Sequence, residues 1–211
     1  MAKTSRPKNS PQRLYDRLAD IQNLAMKLNG YRASVAKYLK SLRLELGHDA
    51  LVLDAGSGTG IITLGFLDTG IKAKRVVALD LSLKSLLVAR DEFDQRRSKI
   101  TETVQSDVLR MPFADNTFDL VLMCGVLEYT PIDVGLAEAA RVMKRGARLV
   151  FIPIKPSVVG AVLELLYNFR THSPESVRKS AEKYFTIVGN HKFPITQPMS
   201  WSKTIFLLEK K

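Results

Sequence analysis

Residues 52–60 read VLDAGSGTG. A short apolar run closes on a carboxylate, Asp54, and three glycines follow at alternate positions, Gly56, Gly58 and Gly60, before an apolar stretch with helical spacing begins. That order is a strand, a tight turn and a helix starting at about Thr59. Glycines in such a turn permit positive φ and let the backbone approach a ligand, while the helix N-terminus offers free N–H groups. A dinucleotide fingerprint would read G-x-G-x-x-G, but here the third glycine comes one position early and Ile61 stands where it should be. The Gly-Lys-Ser/Thr ending of a Walker loop is absent as well. Asp54 beside the turn would repel a phosphate; it suits a ligand carrying a positive ammonium group.

Moving outward, two periodicities alternate. Val-, Leu- and Ile-rich runs at Ala50–Leu53, Arg75–Leu79, Ile100–Val104, Phe118–Met123 and Ala147–Ile154 read as buried strands. Between them, Ile61–Leu67, Leu83–Phe93 and Val134–Met143 have helical spacing. Strands alternating with helices predict a parallel sheet, and right-handed crossovers make it doubly wound. Beyond Pro156, helices are expected at Val158–Phe169 and Pro174–Tyr184, then strands at Phe185–Val188 and Thr204–Leu208. With no helix between them, those last two strands should pair antiparallel. The expected fold is therefore α/β: a doubly wound, seven-stranded Rossmann-like sheet, mostly parallel with a C-terminal antiparallel pair, plus N-terminal helices. Apolar residues from Leu14 to Leu46 predict two such helices, broken near Asn29–Gly30.

The chain has 211 residues, 45% hydrophobic and 25% charged, which fits one globular domain with a full core. A lone cysteine, Cys124, rules out an internal disulfide framework and a cysteine-cluster metal site. His48, His172 and His191 are scattered without metal-ligand spacing, so no metal is expected. The N-terminus lacks the apolar run of a secretory signal, and no segment has the length to span a bilayer, so a cytoplasmic location is expected. The net charge of +11 is unevenly spread. Residues 1–48 carry +7, residues 49–154 carry −1 and residues 155–211 carry +5. The basic excess thus lies on the flanks of a neutral middle.

In that middle, VVALDLS ends a second strand at Asp80, whose carboxylate can accept both hydrogen bonds of a ribose diol. QSDVLRMPF places Asp107 after the third strand, and FDLVLMCGVLEY opens a fourth into the same crevice. Together with EAARVMKRGARLVFI, these segments resemble the successive motifs of class I S-adenosylmethionine-dependent methyltransferases, in the branch of the ubiquinone/menaquinone C-methyltransferases and other small-molecule and lipid enzymes. The resemblance covers residues 50–154; it is loose in residues 14–48 and one of layout alone in the last 55 or so.

The resemblance implies S-adenosylmethionine as cofactor, with S-adenosylhomocysteine as product. It implies that Asp54 orients the glycine turn and the ligand's amino group, and that Gly56, Ser57, Gly58 and Gly60 pass close to its methionine and ribose portions. Asp80 would bind the ribose hydroxyls and Leu81 pack on adenine. Asp107 and Val108 would contact the adenine edge, and Met123 and Cys124 lie where a strand-end carbonyl faces the amino group. Val126, Leu127, Glu128 and Tyr129 would line the passage to the acceptor, with Glu128 and Tyr129 the candidates for catalysis. Tyr129 stands where this branch often has a histidine, so histidine-based proton transfer is not implied there. The implied organisation is a basic tail (1–13) and one methyltransferase domain (14–211). Within it lie a helical lid (14–48), a cofactor core (49–154), an acceptor-side helical insertion (155–184) and the strand pair (185–211).

For the acceptor, Ser157–Phe169 is informative because its single charge is Glu164. One reading is a helix packed on the sheet; the other is an apolar lid that admits a lipid-like acceptor or dips into an anionic membrane surface. The expected partner is a small, hydrophobic or lipid-like molecule. RNA or protein methylation, or non-catalytic cofactor binding, are the alternatives. Nucleic acid is disfavoured, because the fourth strand lacks an Asn/Asp-Pro-Pro-Tyr motif and no basic-aromatic platform is evident.

Overall fold

A computed structural model describes residues 30–192 and 201–211. Its seven strands are β1 (Leu51–Ala55), β2 (Arg75–Asp80), β3 (Thr101–Gln105), β4 (Phe118–Cys124), β5 (Met143–Ile152), β6 (Phe185–His191) and β7 (Ile205–Lys210). The helices are α1 (Tyr31–Ser41), α2 (Ile61–Thr69), α3 (Leu83–Gln95), α4 (Ile132–Val142), α5 (Val158–Tyr167) and α6 (Pro174–Ala181). A 3₁₀ turn, Leu127–Tyr129, follows β4.

The sheet order is β3-β2-β1-β4-β5-β7-β6. The first five strands are parallel, and β7 runs antiparallel to both β5 and β6. The expected antiparallel pair is present, with β7 inserted between β5 and β6. Strand order reverses between β1 and β4, and at such a switch point the connections diverge to opposite faces and leave a crevice beyond the strand ends.

Both faces of the sheet are covered, as the continuous apolar strands require. Leu53, Ala55, Val77, Leu79, Val121 and Met123 pack with Leu136 and Ala139 of α4 and Val177 and Ala181 of α6. On the opposite face, Val52, Val76, Leu120, Leu122 and Val150 pack with Val35 and Leu39 of α1 and Ile62 and Phe66 of α2. Two-residue alternation along β1 therefore sends Leu53 and Ala55 toward α4, and Val52 and Asp54 toward α2.

Several boundaries differ from the sequence expectation. Strand β5 begins at Met143, directly on the end of α4, because Met143 pairs with Phe118 across a register shift that passes over Lys144–Ala147. Helix α5 stops at Tyr167, where Asn168 takes a left-handed cap (φ 51°). Helix α6 begins as its sequence predicts, with the Ser173 hydroxyl accepting from Ser176 N and proline in the first turn. Of the two N-terminal helices, the second is α1, starting after Gly30; the first, and the 1–13 tail, lie outside the described residues.

Candidate functional site

The glycine turn leaves β1 and is held against the end of β2 by backbone bonds. Gly56 N and Ser57 N both donate to Leu79 O, at 2.8 and 2.9 Å. Gly58 N donates to Asp80 Oδ2 at 2.8 Å, and Ser82 N to Asp80 Oδ1 at 2.8 Å. Gly56, Gly58 and Gly60 all have positive φ (76°, 53° and 81°), a region that side chains with a Cβ rarely adopt. At Gly56 a Cβ would also sit 2.3 Å from Val126 Cγ2, so the turn touches the end of β4 with nothing to spare.

A cavity of about 700 Å³ opens over this turn. One end is lined by Gly56, Ser57, Gly58, Asp80, Leu81, Asp107 and Val108, all expected from sequence. Leu81 is largely exposed there, as a side chain awaiting a flat ring would be. Asp107 lies at the rim, and one of its oxygens already accepts Leu109 N at 2.9 Å. The other end is lined by Cys124, Gly125, Val126, Tyr129, Ile154, Leu163, Phe169 and Lys203. Tyr129 stacks edge-on against Phe169 with ring centroids 5.4 Å apart, which brings the loop after α5 onto the turn after β4.

Four of the expected residues are placed differently. Gly60 is behind the wall; a Cβ there would meet the Phe93 ring at 2.8 Å, so its role is to let α2 pack on α3. The Met123 side chain is buried in the core below α4, as its carbonyl role allows, whereas Leu127 is fully buried against Gly135 of α4 and does not line the acceptor passage. Glu128 is buried and turned inward, its Oε1 accepting Ile154 N at 2.6 Å, so it does not line the acceptor passage. Burial pushes its carboxyl pKa above the usual range. Arg170 N donates to Glu128 O at 3.1 Å, which makes this residue a fastener of the loop after α5.

Asp54 also lies behind the wall, facing α2 as strand parity dictates. Thr63 donates to its Oδ2 from both N (3.0 Å) and Oγ1 (2.6 Å), so it does order the helix start after the turn. Its Oδ1 is buried with no hydrogen-bond partner, and burial raises the pKa to about 7 against the opposing Thr63 bonds. Ser57 Oγ is likewise buried and unpartnered. These two orphaned polar atoms, with the open space beside Gly58, fit a ligand that brings an ammonium and hydrogen-bonding groups to the turn.

Sequence reasoning missed Lys203 and Tyr31 as members of the site. Lys203 is buried, and its Nζ lies 3.2 Å from Tyr31 Oη and 3.3 Å from Cys124 Sγ. Tyr31 Oη is 3.0 Å from the same sulfur. Lys203 follows the undescribed segment 193–200 and no local motif marks it; only its tertiary placement makes it a wall residue.

A family model described as a methyltransferase domain matches residues 53–151. The demethylmenaquinone methyltransferase of Thermobifida fusca is 38% identical over 112 residues, 50% of this chain and 46% of that protein. An uncharacterized protein of Methanocaldococcus jannaschii is 31% identical over 172 residues, 77% of this chain and 70% of that one. The chain thus spans about half the length of the Thermobifida relative. Among solved structures, a geranyl diphosphate C-methyltransferase of Streptomyces coelicolor, crystallised with Mg²⁺, geranyl diphosphate and S-adenosyl-L-homocysteine, superposes with a TM-score of 0.71. It covers 83% of this chain and 76% of that one at 15% identity, a likeness of fold.

Proposed function

We propose that this chain, which belongs to the class I S-adenosylmethionine-dependent methyltransferases, transfers a methyl group to a small apolar or lipid-like acceptor. The observation that carries the reading is the two-ended cavity at the β1/β4 switch point. A carboxylate-clamped glycine turn forms one end, and apolar side chains from the turn after β4 and the segment of α5 form the other.

Bound S-adenosylmethionine supplies an electrophilic methyl group on a positive sulfur. The residues present fit it. Asp80 is placed to accept from a ribose diol with the lone pairs left by Gly58 N and Ser82 N, and Leu81 covers one face of an adenine. Asp54 Oδ1, buried beneath the turn without a partner, supplies the negative pole toward which the ligand's ammonium would be drawn. Held there, the cofactor would offer its methyl carbon to the acceptor's electron pair, with the pair of the broken carbon–sulfur bond left on sulfur. For such an in-line displacement the protein's contribution is alignment and exclusion of water. Leu163, Phe169 and Tyr129 provide the second by walling the acceptor end with apolar surface.

Helix α5 is the acceptor-side cover and a membrane contact. Among its described side chains no large apolar one is buried; Val158 and Leu165 are 85% and 86% exposed, and Val162 and Leu166 about half exposed. That supports the lid reading over a helix packed on the sheet. No helix among the described residues is long and apolar enough to cross a membrane. The relatives whose names include quinone and prenyl acceptors agree in kind with an apolar substrate. Incubation with methyl-labelled S-adenosylmethionine and fractionated cell extract, followed by mass spectrometry, tests the reading. Label should appear in the lipid-soluble fraction; label confined to RNA or protein, or none at all, would overturn it.

A further inference from the structure

Resting on the methyl-transfer reading, we infer that Lys203 specifies the acceptor: its ammonium, set in the cavity wall, holds an ionised oxygen of an apolar acceptor beside the atom that takes the methyl group. Three remote elements build this point. Tyr31 comes from α1, Cys124 from the end of β4, and Lys203 from the residue pair before β7, where it bridges to Ile154. The ammonium lies 4.8 Å from the centre of the Tyr31 ring and bonds to the Tyr31 oxygen and the Cys124 sulfur. Its third N–H has no hydrogen-bond partner, and no carboxylate lies within ion-pair distance, among the described residues.

Burying a cation is costly, and folded proteins normally pair such charges; the carboxylate that feels Lys203 is the buried Glu128, which lies beyond ion-pair distance and is engaged with Ile154 N. Burial opposes the Lys203 ammonium, yet the sulfur and phenol oxygen beside it hold its pKa above the ordinary lysine value. It therefore keeps its charge at neutral pH. Burial holds the Tyr31 phenol above its own ordinary value. Lys203 shares the wall with Cys124, Gly125 and Ile154, at the end of the cavity away from the Asp80 carboxylate. An anionic oxygen entering there meets the third N–H of the ammonium.

The chemistry of transfer fits this placement. An acceptor held as a phenolate or enolate gives its electron pair to the methyl carbon while the carbon–sulfur pair stays on sulfur. An anion and a cation become two neutral products, so no protein base need remove a proton during the displacement. That accounts for a site in which Glu128 is turned away from the cavity.

Calorimetric titration of the full chain saturated with S-adenosylhomocysteine tests the inference, with 2-naphthoate as the anionic probe and 2-naphthamide as its neutral isostere. The wild type should bind naphthoate about tenfold or more tightly than the amide, as a charge-assisted bond predicts. Lys203→Met should abolish that preference and leave S-adenosylhomocysteine affinity within about twofold, whereas Lys203→Arg should keep much of it. A structural pin would not discriminate between the two probes. Equal binding of both probes by the wild type, no binding of either, or a preference surviving in Lys203→Met overturns the inference. If Lys203→Met does not fold, the ¹⁵Nζ resonance of wild-type Lys203 decides: it should move with naphthoate and not with naphthamide, and a resonance indifferent to both also overturns it. Failure of S-adenosylhomocysteine to bind the wild type would instead count against the methyltransferase reading itself.

Discussion

Asp80 Oδ2 accepts the backbone N–H of Gly58 at 2.8 Å, so the carboxylate at the end of β2 also fixes the glycine turn at the end of β1. One side chain thereby shapes the backbone cradle and presents the acceptor for the ribose. Asp80→Ala should weaken S-adenosylhomocysteine binding by about 1.5–3 kcal/mol, the range for hydrogen bonds to a charged group. Asp80→Asn keeps an oxygen for Gly58 N and should lose less. Calorimetry on both variants checks the order; an Ala variant with wild-type affinity would remove Asp80 from the pocket's function.

Asp54 ties stability to cofactor binding through pH. Burial raises its pKa from 3.8 to about 7, so between those values the folded chain keeps a proton that the unfolded chain has released. This group's contribution to stability therefore falls as pH rises from about 4 to about 7 and is level above that. Asp54→Asn keeps the oxygen that Thr63 bonds and removes the titration. The apo variant should be more stable than wild type at pH 8, by on the order of 1–4 kcal/mol, and the gap should close toward pH 4. Its S-adenosylhomocysteine affinity should drop, because the ammonium loses a carboxylate. Thermal melts across pH, paired with calorimetry, test both halves, and a gap between variant and wild type no larger at pH 8 than at pH 4 would contradict this assignment.

How much of this was legible beforehand depends on range. The alternation of strands and helices, the glycine turn, Asp80, Leu81 and Val108 are local patterns, and the fold uses them where the sequence places them. Parity along β1 contains the answer for Asp54: Val52 and Asp54 share one face, and Thr63 on α2 meets it. The insertion of β7 between β5 and β6 has no local signature, because its partners are chosen by tertiary packing. Lys203 bonds to a residue 172 positions away, a relationship no periodicity or spacing could express.

Glu128 should prove structural. Its Oε1 holds Ile154 N at 2.6 Å at the exit of β5, and Glu128→Ala leaves that buried N–H without an acceptor. The expected cost is about 1–3 kcal/mol of stability, with cofactor affinity changed by no more than about twofold. Glu128→Gln preserves an acceptor and should be close to neutral. Urea titrations give the first quantity. Loss of methyl transfer in a fully folded Glu128→Gln variant would return the residue to the catalytic candidates.

Helix α5 gives the prediction that separates a lid from a membrane contact. Val158 and Leu165 are among the most exposed apolar side chains described, and neither supports the core. Replacing both with glutamate should therefore leave the melting temperature nearly unchanged. If the helix dips its apolar face into a bilayer, each side chain contributes up to about 1.5–3 kcal/mol on burial. The double variant should then lose at least about tenfold in partition to phosphatidylserine-containing vesicles. Basic flanks of +7 and +5 add an electrostatic component that high salt should screen. Co-sedimentation with anionic and neutral vesicles, at low and high salt, reads both effects. Equal sedimentation of wild type and double variant would confine α5 to covering the cavity and leave the basic flanks to another partner.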